Sequence, residues 1–234
     1  MMRGCVIAAV VGALAGASAL AQPAAGEPEK AAAPSAEPGV EKTVDPGAGV
    51  EAPEKAWSFY ASAFFYLVPD DDDFVQPTFM ADRDWLHLEL RYNYEALDTG
   101  SAWFGVNFGG GEEVTWEFTP MIGAVFGDTT GVAPGYRFGL SWWKLEFSTE
   151  GEFVFDTDNS SDNFFYSWSE LSLAPVEGFR FGIALQRTRV FEEDRDLQFG
   201  LLAGFSIGKF DASAYVFNLD EDTPTLVFSV GLSF

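Results

Sequence analysis

From Trp57 to the C-terminus, large apolar residues recur at every second position, in runs separated by acidic or glycine-containing breaks. Period two marks an extended strand with one apolar face, and no helical period of comparable length interrupts it. The clearest run puts Leu86, Leu88, Leu90, Tyr92 and Tyr94 on one face and His87, Glu89, Arg91, Asn93 and Glu95 on the other. Further on, Tyr136, Phe138, Leu140 and Trp142, then Leu145, Phe147, Phe153 and Phe155, oppose Arg137, Lys144, Glu146, Ser148, Glu150 and Glu152. The pattern predicts twelve strands, over Trp57–Pro69, Phe74–Asp82, Asp84–Glu95, Ser101–Gly109, Glu113–Phe126, Thr130–Trp142, Trp143–Phe155, Phe164–Ala174, Gly178–Phe191, Asp196–Gly208, Lys209–Asn218 and Pro224–Phe234. Between Trp168 and Leu171 the alternation breaks, which predicts a β-bulge.

The breaks are of two kinds. After odd-numbered strands come acidic loops: Asp70–Asp73, Glu95–Asp98, Asp128, Asp156–Asp162, Glu192–Asp196 and Asp220–Asp222. After even-numbered strands come tight turns around Asp82–Asp84, Gly109–Gly111, Trp142–Trp143, Pro175–Gly178 and Gly208–Lys209. An even strand count with short turns at one end and longer loops at the other predicts an up-and-down antiparallel barrel. Charges in mid-strand and aromatic bands at the strand ends predict an apolar face turned to lipid rather than to a soluble core. The turn-end band is Trp57, Trp85, Trp116, Trp142, Trp143 and Phe179; the loop-end band is Tyr92, Tyr94, Phe155, Phe165 and Phe191.

The final strand carries Leu226, Phe228, Val230, Leu232 and Phe234 on its large apolar face and Thr225, Val227, Ser229, Gly231 and Ser233 on the other. A terminal aromatic preceded by apolar residues at alternate positions resembles the assembly signal of bacterial outer-membrane β-barrel proteins. The resemblance covers a leader and residues 57 to 234. It implies an all-β transmembrane barrel of twelve strands in the outer membrane of a Gram-negative-type bacterium, with both termini periplasmic. The implied partners are outer-membrane lipid and, during biogenesis, the barrel-assembly machinery and periplasmic chaperones.

The segments ahead of the barrel fit that placement. Residues 1–21 combine Arg3, an apolar run from Val6 to Leu14 and a small-residue end at Ala19-Leu20-Ala21, as in a cleavable secretory signal peptide. Residues 22–56 are rich in Ala, Pro and Glu, lack aromatics and periodicity, and are expected to form a disordered periplasmic arm. Residues 57–234 are the barrel.

Charge narrows the function classes. Lys and Arg number 13 against 36 Asp and Glu, a net charge of −23, which excludes a nucleic-acid partner. The single cysteine, Cys5, lies in the leader, so the mature chain has no disulfide and no thiol nucleophile. The acidic loops lack the mid-loop glycine of an EF-hand, and no metal site or cofactor is expected.

The enclosed face holds the candidate functional residues: Glu89, Arg91, Glu117, Arg137, Glu146, Glu150, Glu170 and Arg180, with Lys144, Ser148, Glu152, Gln186 and Gln198. Counting across the turns puts Glu150 nearly opposite Glu170, with Arg137 on the diagonal. Small inward residues (Gly105, Gly123, Ala133, Gly135, Gly139, Gly182, Gly200 and Gly204) are expected to leave space. Twelve strands enclose more than an eight-stranded barrel, whose interior side chains fill. The leading expectation is a narrow passive channel for small solutes with mild cation preference. The alternative is a structural or interaction barrel plugged by its own charges. A third reading, a lipid-modifying enzyme, needs His87 beside a serine on the lipid face, whereas His87 counts inward; no enzyme is expected.

Overall fold

The computed structural model describes residues 56–69, 72–190, 196–220 and 223–234, with backbone only at 189, 190 and 196. The expected leader, nearly all of the 22–56 arm, and parts of the loops at 70–73, 192–196 and 220–222 lie outside the described residues. Thirteen strand segments follow: β1 (Ser58–Leu67), β2 (Phe74–Arg83), β3 (Leu86–Tyr92), β4 (Thr99–Val106), β5 (Phe108–Gly110), β6 (Val114–Gly127), β7 (Gly131–Trp142), β8 (Leu145–Asp156), β9 (Phe164–Val176), β10 (Phe179–Val190), β11 (Asp196–Ile207), β12 (Phe210–Phe217) and β13 (Thr225–Ser233). β4 and β5 both pair with β6 and form a single stave interrupted at Asn107, so the staves number twelve. Each stave pairs antiparallel with the next, and β1 pairs with β13 to close the barrel. The interruption is satisfied locally: the Asn107 backbone N–H donates to Trp85 (2.7 Å), its amide donates to Asp82 (2.7 Å), and it accepts from Thr119 (2.7 Å).

Backbone conformation explains the tight ends. Arg83 pairs with Leu86, Trp142 with Leu145 and Ile207 with Phe210, leaving two-residue turns. In each, the first turn residue takes positive φ: Asp84 (59°), Trp143 (55°) and Gly208 (62°). That conformation matches the twist of the flanking strands, and glycine meets it without a steric cost.

Most strands span seven to fourteen residues, and their outward residues form an exposed apolar surface. Leu90, Phe104, Ile122, Phe155, Leu171, Phe199 and Phe228 are among them. Trp57, Trp85, Trp116, Trp142, Trp143 and Phe179 are exposed at the turn end, and Tyr92 and Phe155 at the loop end. On the terminal strand, Phe228, Val230, Leu232 and Phe234 face out, while Val227 and Ser229 are buried inside. Phe234 stacks on Phe59 (5.7 Å between centroids), and the two residues exchange backbone hydrogen bonds at the barrel seam.

Two expectations are corrected. Tyr94 points inward, because Asn93 takes φ +55° and reverses the alternation just beyond β3. Asn93 holds that reversal with its own groups: its amide donates to Val75 (3.1 Å), its side-chain oxygen accepts from the Asp98 N–H (2.9 Å), and its carbonyl accepts from Gln76 (2.6 Å). No bulge separates Trp168 from Leu171, since the pairing of β9 with β8 keeps constant register through them. Trp168 faces inward with Glu170, and Ser167 and Ser169 face outward. The Ser169 hydroxyl is partnered, since it and Thr149 bond each other at 2.9 Å. The register of β9 against β10 shifts only at the turn end, between Phe179 and Phe181.

Candidate functional site

The inward side chains of the twelve staves meet in two polar knots and an aromatic packing. The first knot is centred on Arg91 of β3, which is 4% exposed. Its guanidinium contacts Glu89 on the same strand (2.8 Å) and reaches across the interior to Glu152 of β8 (2.8 Å), with Glu95 at 4.0 Å. β4, β6 and β7 separate β3 from β8 in the wall, so this contact runs through the enclosed space. The Tyr94 and Trp103 rings face the guanidinium at 4.0 and 4.5 Å, a cation–π arrangement that favours Arg over Lys. Arg137 of β7 also crosses to Glu89 (3.4 Å) and lies against the Met80 sulfur. Tyr94 donates to Glu150 (2.6 Å).

The second knot lies on the far wall. Glu170 of β9 accepts from Arg180 of β10 (2.8 Å), Trp168 (2.9 Å) and Tyr215 of β12 (2.9 Å). Arg180 also donates to Ser213 (3.0 Å). The register puts Glu150 beside Trp168 and Arg137, and Glu170 beside Ser148. Glu150 and Glu170 therefore do not face one another, and each joins a different knot. Glu170 lies two residues along β9 from Trp168, the register partner of Glu150, so the expected Glu150–Glu170 pairing is displaced by one diagonal step.

Aromatic rings occupy the volume around these knots. Phe64, Tyr66, Tyr94, Tyr166, Trp168, Tyr215 and Phe217 form one buried cluster with Leu202 and Val227. Trp168 is 0% exposed and meets Tyr215 and Phe217 edge-on at 5.4 and 5.1 Å. Trp103, Met121, Val125, Ala133 and Val154 form a second cluster. Several glycines expected to leave space are seats for these rings. A Cβ on Gly123 would lie 2.6 Å from Trp103, and one on Gly200 would lie 2.6 Å from Phe217. Gly139 differs, with nothing within 4 Å of a Cβ there. Near it, towards the turn end, Glu117 and Glu146 are exposed, and Lys144 donates to the Pro175 carbonyl (2.5 Å). Glu117 and Glu146 join neither knot.

His87 is buried, with its ring nitrogens 2.8 Å from Asp82 and 3.2 Å from Glu89. Among the described residues, no group of three or more His, Cys, Asp and Glu is placed to hold a metal ion. Glu95 lies in the connection after β3, and burial pushes its carboxyl above the ordinary carboxylate range, against the pull of Arg91 and the donors Ser101 and Trp103.

Sequence reasoning missed the inward aromatics. Parity carried a usable signal, because Trp168 shares the face of Glu170 and Ser172, and Tyr215 shares that of Asp211 and Ser213.

No protein-family model and no curated protein matches the chain. Solved structures do. The KdgM porin aligns with a TM-score of 0.53 at 10% identity, covering 75% of this chain and 99% of that one. The KdgM porin in complex with disordered oligogalacturonate aligns with a TM-score of 0.51 at 8% identity, covering 76% and 99%. The Acinetobacter baumannii outer membrane protein Omp33 aligns with a TM-score of 0.44 at 12% identity, covering 76% and 98%. The fold is thus a closed twelve-stranded antiparallel barrel like that of the KdgM porin.

Proposed function

We propose that this protein is a closed barrel of the Gram-negative outer membrane, one that holds no standing aqueous pore and serves as a structural or interaction element of the envelope. A single observation supports the reading: every one of the twelve staves contributes an inward side chain that is buried. Around an open channel those side chains would be wet. Here Gln76, Ala184, Val227 and Trp168 are 0% exposed on four different staves. Contact would then fall to the rims: the acidic loops, the turn end and segment 22–56. The termini of the barrel domain share the turn end, which this reading places in the periplasm. The outward apolar band would meet lipid, and the terminal strand would be handled by the assembly machinery and its chaperones. His87 is committed to Asp82 and Glu89 inside, which supports a bracing role and no enzymatic one.

A second reading is a narrow channel for small solutes with cation preference. It draws on the fold shared with the KdgM porin and on the exposed Glu117 and Glu146 near the turn-end mouth. An anionic sugar chain such as oligogalacturonate would meet six inward carboxylates (Glu89, Glu95, Glu150, Glu152, Glu170 and Asp211) against three guanidiniums (Arg91, Arg137 and Arg180). Repulsion disfavours such a solute here. Planar-bilayer recording of the purified barrel separates the readings. The closed barrel shows no stepwise conductance at any holding voltage. Stable, cation-selective steps would establish the channel instead.

A further inference from the structure

Two buried carboxylate oxygens in the Arg91 knot have no hydrogen-bond partner among the described residues: Oε2 of Glu95 and Oε1 of Glu152. The other oxygen of each is well served. Glu95 Oε1 accepts from Ser101 (2.5 Å) and Trp103 (3.2 Å), and Glu152 Oε2 accepts from Arg91 Nη1 (2.8 Å). The same Arg91 nitrogen lies 4.0 Å from Glu95 Oε1, so the two carboxyl groups flank one guanidinium N–H group. Both residues are nearly sealed, at 4% and 3% exposure. A buried acceptor without a donor is costly, and two buried anions gathered about one guanidinium nitrogen are more so.

The charges of the knot point the same way. Glu89, Glu95, Glu150 and Glu152 face Arg91 and Arg137, an excess of acid in a dry interior. Glu89 contacts both guanidiniums and the ring of His87, and Tyr94 donates to Glu150. Tyr166, edge-on to Tyr94, is the titratable group facing the knot from β9. Neither guanidinium nor tyrosine supplies the missing donor to the pair. A metal ion would need more ligands than the site assembles.

We propose that Glu95 and Glu152 bind one proton between them, as a carboxyl–carboxylate pair that latches the loop-end half of the interior. One carboxyl O–H donates to the facing carboxylate oxygen, which satisfies both orphaned atoms and removes one negative charge. Deprotonation releases that proton to water and leaves two anions competing for Arg91. The folded barrel then holds a proton that the unfolded chain releases above a carboxyl value of about 4.3. Stability from the pair is present below that value and is lost as rising pH removes the shared proton. The proposal builds on the closed interior, but its test reads the proton rather than conductance, so the two readings fail separately.

Infrared spectroscopy of the full chain refolded into phosphatidylcholine vesicles tests it. At neutral pH the wild type shows the carbonyl band of an un-ionised buried carboxyl group. Glu95→Gln and Glu152→Gln each abolish that same band, because one proton serves both, whereas Glu150→Gln leaves it in place. Absence of the band from the wild type, or its survival in both pair variants, overturns the proposal. Heat-modifiable mobility in gels verifies that each variant folds. The wild type alone supplies a second arm: its Tm falls as rising pH removes the band. A Tm that ignores pH, or one governed by added alkali or divalent cations instead, also overturns it.

Discussion

Replacing Trp168 with alanine separates a packed interior from a water-filled one. The indole is wholly buried, meets Tyr215 and Phe217 edge-on, and donates to Glu170. A buried aromatic of this size removes about 150–250 Å² from water. At about 25 cal/mol per Å² that corresponds to roughly 4–6 kcal/mol, an upper figure because the unfolded chain is not fully extended. Measured Trp→Ala costs in cores run to about 3–5 kcal/mol, and Trp168→Ala is expected in that range. Trp168→Phe keeps most of the ring but leaves Glu170 one donor short; Arg180 and Tyr215 still serve it, so a smaller loss of about 1–3 kcal/mol is expected. Equilibrium unfolding in urea, followed by tryptophan fluorescence in lipid vesicles, gives both values with one reference state. If Trp168→Ala lies within about 0.5 kcal/mol of the wild type, its ring stands in water and the packed interior is refuted.

Other expectations follow from particular contacts. Arg91→Met strands the Glu152 carboxylate and leaves Glu89 only Arg137 and His87, and should cost about 3–5 kcal/mol at neutral pH in the same titration. That deficit should shrink on acidification, as these carboxylates take up protons; a deficit independent of pH would argue against the ion pairs. Gly123→Ala forces a methyl into the Trp103 ring and should cost about 1–3 kcal/mol, whereas Gly139→Ala meets open space and should stay within about 0.5 kcal/mol of the wild type. Phe234→Ala removes the ring stacked on Phe59 and tilted against Phe79 at the seam, and the assembled fraction in cells, scored by heat-modifiable mobility, should fall. Unchanged assembly would detach the terminal aromatic from biogenesis.

The wall of the barrel was legible in the chain because lipid and interior impose opposite demands on successive residues. Leu88, Leu90 and Tyr92 declare one side and His87, Glu89 and Arg91 the other, with no long-range information needed. The interior was less legible. The reversal at Asn93 depends on one φ angle that no neighbouring residue type demands, so alternation alone puts Tyr94 on the outward face. The Arg91–Glu152 contact joins residues 61 positions apart and arises only once three intervening staves have curved the wall. Trp168 shares parity with Glu170, yet the alternation of apolar residues reads as broken between Trp168 and Leu171, where the register is in fact continuous because the inward position holds an aromatic. The glycines were the overlooked clue. Gly123 and Gly200 lack side chains because Trp103 and Phe217 occupy the places where side chains would go.

Whether water reaches the middle of the barrel is decided most directly by thiol accessibility. Ser229→Cys is nearly isosteric at an inward position of β13 that is 1% exposed, and Gly139→Cys sits on the inward face of β7 beside open space. Both are challenged in sealed vesicles with a small, charged, membrane-impermeant thiol reagent. The closed barrel predicts rapid modification at position 139 and none at 229 until urea unfolds the chain. Equal, rapid modification at both positions would mean a continuous aqueous bore and would contradict the account.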